Sequence, residues 1–306
     1  MAGKNSKIQN VLNDAESEFG VPYGGSLTSS NDNHAATLIW LKEYKKYIPI
    51  PYLVDGGSIT DEEADYDLFK LYSCGVALGH GKLFRKTPQT KNDEDVRKEV
   101  LQTTWASLVM QKAKQLELPK YDRKLVVSSL LEDLVRMSQD PDNLTHLFKY
   151  LSGFGIGLVV VPCIAGSRID GMAALDGHGN PIVGLSLRYD RLDYFWFTLL
   201  HEAAHVIYHF DRLESAIIDN FDEVPEEEFE QEANYYAREA IIPRAIWRSS
   251  DARRVGSEED IMVLAHELKI HPSLVVGRLH YDSNNYAHHR NIVDEFSIRE
   301  LLKDHI

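Results

Sequence analysis

The apolar positions of this chain follow two different periods. Up to about residue 152 they recur every three or four residues, the spacing of helices with one face turned inward. Between residues 93 and 115, Val96, Val100, Leu101, Trp105, Leu108 and Val109 keep that spacing and predict an amphipathic helix. The same reading predicts helices over 34–48, 61–78, 124–137 and 143–151, the last with Asn143 as N-cap and Gly153 near its end. A short helix is expected within residues 1–20. The glycine-, serine- and asparagine-rich stretch 20–33 reads as a connection, the proline-bounded PIPYLVDGG as a break between helices, and 79–92 as a polar, locally basic connection.

Near Gly155 the pattern changes. Residues 157–163 (GLVVVPC) form a β-branched run, and 171–175 and 181–187 flank a turn sequence from Asp176 to Asn180. These predict a small mixed or antiparallel sheet, with 181–187 as a candidate exposed strand for holding an extended peptide by backbone pairing. Residues 193–210 (DYFWFTLLHEAAHVIYHF) are apolar almost all round behind Asp193 as N-cap, which predicts a helix buried within a domain. Residues 225–242 read as helix again, with proline in the first turn, acids where the helix dipole favours them, and a stop at Pro243. Helices over 258–268, 271–279 and 296–302 follow. The fold class expected is α+β: mostly helical, with a small sheet packed on the helix at 193–210. Three regions are expected: 1–92, 93–152 and 153–306.

Within the buried helix, His201-Glu202-Ala203-Ala204-His205 has the HExxH spacing, which sets two imidazoles one turn apart on one side. Two neutral nitrogens so placed can meet on one ion, and Glu202 beside them can hold a water bound to it. Burying these groups without partners would cost several kcal/mol. A third ligand is therefore required. Stepping about 100° per residue along 225–242 puts Glu230, Asn234, Ala237 and Ile241 on one edge of the inward face, with Glu232 nearly opposite. Glu230 is the third ligand on this reading, and Glu226, one turn earlier, the fallback.

HEAAH followed by EQEANYYAREAIIP resembles the ImmA/IrrE family of zinc metallopeptidases, over about residues 95–280. The resemblance implies a zincin-like domain with one Zn2+ per chain held by His201, His205 and Glu230, and Glu202 as catalytic base. It also implies that Asn234 hydrogen-bonds a ligand, and that the substrate is a specific protein, typically a helix-turn-helix repressor whose cutting switches on stress, phage or mobile-element genes. Longer relatives carry a DNA-binding helix-turn-helix, and the first 90 residues here show no convincing one. His209, one turn beyond His205, reads as a structural or ligand-supporting histidine. Tyr189, Arg188, Tyr208 and His209 are the candidates for stabilising an oxyanion.

Composition narrows the function classes. With 306 residues, 43% hydrophobic and 26% charged, the chain can bury a full core. No apolar run approaches a membrane span and the start is polar, so a cytosolic protein is expected. Cys74 and Cys163 are too few for a disulfide framework. A net charge of −14 argues against direct nucleic-acid binding, which needs clustered Lys and Arg. The acidity concentrates at Asp211, Glu214, Asp219, Asp222, Glu223 and 226–228, read as a solvated loop or as a rim that steers a basic substrate segment. Iron would also suit two imidazoles and a carboxylate, but the glutamate inside the motif favours hydrolysis. The competing function is a non-catalytic regulator or antitoxin-like module that uses the same fold to bind protein.

Overall fold

The computed structural model describes residues 29–60, 64–76, 92–126, 129–213, 216–221 and 227–306. The expected helix within 1–20, the basic connection up to residue 91, Pro225 and the fallback ligand Glu226 lie outside the described residues. The chain divides into two compact units: the described residues up to Gln115 with 164–168 and Ala216, and the remainder from Leu116 onward.

The first unit is helical. It comprises α1 (Ser29–Tyr44), a 3-10 turn, α2 (Ile50–Asp55), α3 (Ala64–Val76) and α4 (Asp93–Ala113). Helix α3 packs on both α1 and α4, burying Leu38, Leu41, Leu68, Leu71 and Trp105 completely or nearly so. Helix α4 starts as its sequence demands: the Asn92 side chain accepts from the Asp95 N–H, and three acids occupy the first turn. Two expectations are corrected. The PIPYLVDGG break contains α2, because Pro49 and Pro51 fall at its N-cap and first turn, where a missing N–H costs nothing. Residues 29–33, inside the stretch read as a connection, belong to helix α1.

The second unit is α+β. Helices α5 (Arg123–Val126), α6 (Leu130–Met137) and α7 (Leu144–Gly153) lead into strands β1 (Gly157–Val160), β2 (Gly171–Leu175) and β3 (Pro181–Leu185). Helix α8 (Leu192–Tyr208), strand β4 (Ile217–Asp219), and helices α9 (Glu228–Ile241), α10 (Arg244–Ser249), α11 (Asp251–Arg254), α12 (Glu258–Leu268) and α13 (Pro272–Ser283) follow. Two single-turn helices, α14 (Arg290–Val293) and α15 (Ile298–Leu301), come last. The sheet order is β1-β3-β2-β4, with β1 parallel to β3 and the other pairs antiparallel, so the sheet is mixed.

This order corrects the expected peptide cradle. Strand β3 is hydrogen-bonded on both sides and every residue of it is buried, so it offers no free edge. Among the described strands the edges are β1 and β4.

Helix α8 lies on β2 and β3 and is packed by α6, α9 and α13. Of its 17 residues 14 are buried, which is why its sequence shows no polar stripe. Arg191, not Asp193, is its N-cap. Asp193 is drawn into the buried first turn by a forked pair with Arg191, at 3.0 Å from Nε and 2.7 Å from Nη2.

Candidate metal centre

The helical period puts His201 and His205 on the side of α8 that faces α9 and β4. Their Nε2 atoms are 3.0 Å apart. Glu230, in the first turns of α9, places Oε2 at 3.2 Å from His201 Nε2 and 3.4 Å from His205 Nε2. The three side chains chosen by spacing thus converge. A fourth joins them: Asp219 at the end of β4 brings Oδ2 to 3.3 Å from His201 Nε2 and 3.9 Å from His205 Nε2. All four donor atoms lie within 4.8 Å of one another.

These separations test whether a metal fits. Four ligands about 2.0–2.1 Å from a tetrahedral ion are about 3.3 Å from each other. The five distances between 3.0 and 3.9 Å scatter around that edge. Asp219 Oδ2 and both carboxylate oxygens of Glu202 are buried without a hydrogen-bond partner among the described residues. Buried anionic oxygens in that condition are costly unless a cation compensates them. The donor set, two imidazoles and two carboxylates, suits a divalent ion of intermediate softness.

The charges respond to one another. Burial opposes a proton on His201, but the carboxylates of Asp219 and Glu230 outweigh it and push the imidazole up to about 9. Burial also works to raise Glu230, yet His201 and His205 together hold its carboxyl far below the ordinary range. Glu202 goes the other way: burial first, then the negative charges of Asp219, Glu230 and Asp170, lift it well above a usual carboxylate.

The chain supports these groups from behind. His205 turns Nε2 to the ligand cluster, so its Nδ1–H donates to His209 Nδ1 at 3.1 Å, and His209 Nε2–H donates to Glu232 Oε2 at 3.0 Å. Glu232, which helical spacing pointed away, reaches the site through this histidine. Asn234 is buried on α9, but its side chain makes no hydrogen bond to His201, His205 or Glu230 among the described residues.

Arg188 lies beside β4, with Nη1 3.5 Å from Asp170 Oδ2 and 3.4 Å from Asn220 Oδ1. Tyr189 packs on Tyr194, and Tyr208 stacks on Tyr236 at 3.9 Å between ring centroids.

Asp219 and Asp170 escape the reading from sequence. Asp219 sits amid acids that read as a solvated loop, whereas it is buried at 5% exposure. The pair Ile217 and Ile218 just before it is the signal that a strand, not a loop, carries it. Asp170 donates its N–H to the Asp219 carbonyl at 2.9 Å, and its Oδ2 accepts from the Phe221 N–H at 2.7 Å. It thereby fixes the end of β4 over the cluster.

The resemblance of the sequence reaches back to about residue 95; the family match is narrower. Residues 159–280 match the peptidase family described as the IrrE N-terminal-like domain. No curated protein and no solved structure matches the chain. The matched stretch contains β2, β3 and β4, the HExxH helix, Asp219 and Glu230, and residues 159–280 are accordingly a metallopeptidase-type domain of the ImmA/IrrE family.

Proposed function

We propose that the chain is a zinc-dependent endopeptidase of the cytosol that cuts a specific regulatory protein, such as a helix-turn-helix repressor in a stress, phage or defence response. The observation that carries this reading is the convergence of His201, His205 and Glu230 with the acid-base residue Glu202 buried beside them. Zinc is favoured over iron because a proton-carrying glutamate serves hydrolysis and has no task in oxygen chemistry.

A divalent ion held by the two histidines and Glu230 would supply Lewis acidity, lowering the pKa of a water to about 7 and polarising a carbonyl. Glu202 takes a proton from the attacking water and gives it to the departing amine, a task its raised proton affinity suits. His209 and Glu232 fix the His205 ring so that Nε2 stays aimed at the site. Arg188, whose Nη1 lies near Asp170 and Asn220 next to β4, is one of the oxyanion candidates, with Tyr189, Tyr208 and His209.

The test mixes the purified protein with a candidate helix-turn-helix repressor, with and without chelator, and reads fragments by mass spectrometry. Cleavage that chelation and Glu202→Gln both abolish, with metal content retained in the variant, supports the reading. Metal-bound protein whose biological output survives Glu202→Gln would make it a binding module.

A further inference from the structure

Catalytic sites of this kind keep one position open for the reactant, and sites with four protein ligands are closed. Here the fourth position has an occupant. Asp219 aims a buried oxygen with no hydrogen-bond partner among the described residues at the two histidine nitrogens. The strand that carries it has three residues and, among the described residues, pairs only with β2, through Gly171, Met172 and Ala173. Phe221, two residues on, covers His201 with ring centroids 4.9 Å apart and packs on Phe197. His201 and Glu202 are fully buried.

Resting on the metal-centre reading above, we propose that Asp219 is a fourth metal ligand and that β4 is an autoinhibitory latch. Closed, the carboxylate holds the position that a substrate needs, and the strand holds the edge of β2. Open, both are released together: a ligand position beside Glu202, and a free sheet edge on which an extended peptide can pair. Asp170 is the catch, because its N–H holds the Asp219 carbonyl and its carboxylate holds the Phe221 N–H. A three-residue edge strand is among the cheaper elements of a fold to detach, which suits it to a device that must open.

The test uses the full chain loaded with Co2+, whose visible absorption reports coordination, titrated with acetohydroxamate as a small metal-seeking probe. A latch closed about 99 times in 100 weakens the apparent affinity for the probe about 100-fold. The wild-type spectrum is therefore expected to resist the probe at concentrations that change the spectra of both Asp219→Ala and Asp219→Asn. X-ray absorption on the wild-type zinc form, which needs no variant, should count four protein ligands. A wild type that binds one Co2+ and takes up the probe as readily as the variants overturns the latch and leaves the metal centre standing. Failure of the wild type to bind Co2+ or Zn2+ at one per chain overturns both.

Discussion

The carboxylate of Glu202 presses against the backbone of Gly171, so closely that a Cβ on that glycine would run into Glu202 Oε1 and come within 2.9 Å of Thr198 Cγ2. Strand β2 thus seats the acid-base residue, and only glycine leaves room for it. Gly171→Ala should push the Glu202 carboxylate out of place while leaving His201, His205 and Glu230 in position. A misplacement of about 1 Å costs about 100-fold in rate. The expected result is a large fall in kcat with metal content unchanged, read by fragment assay and by atomic absorption. Undiminished turnover in Gly171→Ala would show that Glu202 is not held from this side.

His209 and Glu232 form a chain of hydrogen bonds behind His205. Supporting groups of this kind are worth about 10–100-fold in metal affinity. His209→Ala should weaken metal binding by that order, measured by competition with a chromophoric chelator. Glu232 is half-exposed, so Glu232→Ala should have the smaller effect. Equal affinities in wild type and His209→Ala would reduce His209 to a packing residue.

How much of this was legible from sequence depends on the range of the interaction. His201, Glu202 and His205 are set by one helix, and Glu230 by the phase of a second; local periodicity reports both. The buried face of α8 was likewise visible in a run with no polar stripe. Asp219 was not, because its burial depends on β4 pairing with β2, whose partner residues are more than 40 positions away in sequence. Strand order escaped for the same reason. A β-branched run announces a strand, but whether β3 lies inside or at the edge is decided by β1 pairing in parallel across a crossover. Asp193 reads as a cap because short acids usually sit there; the adjacent Arg191 and a glycine on α13 instead accommodate it as a buried pair.

That pair gives a stability prediction. Asp193 is buried and forked to Arg191, whose Nη2 also meets His280 Nδ1 at 3.1 Å. Gly277 of α13 lies against the same carboxylate, where a Cβ would come within 2.8 Å of Oδ2. Removing the carboxylate leaves a half-buried guanidinium without its partner, a loss of about 3 kcal/mol. Asp193→Ala should lower the urea midpoint accordingly, and the double variant Arg191→Met, Asp193→Leu should recover much of it. A midpoint unmoved by Asp193→Ala would mean that water replaces the pair.

Two histidines away from the ligand cluster make the second unit sensitive to acid. His271 caps α13 by accepting the Ser273 N–H on Nδ1 at 3.2 Å, which it can do only while that nitrogen is unprotonated. Burial holds its pKa below the ordinary value, with only Glu295 pulling the other way. His280 donates Nε2–H to the His288 carbonyl at 2.7 Å and turns Nδ1 to the Arg191 guanidinium, so a second proton would meet a positive charge. Burial, with Arg191 adding to it, lowers this pKa as well. In both cases the unfolded chain binds the proton more readily than the folded one, so stability rises with pH in this window. The contribution is complete above the unfolded value of about 6.5 and is lost as pH falls below it. Urea midpoints at fixed metal concentration should therefore drop between pH 7 and pH 5. In His271→Asn, a side chain that still caps but does not titrate, the slope should be shallower than in wild type. Parallel slopes for the two proteins would remove His271 from the acid response and leave the drop to His280 and the ligand cluster.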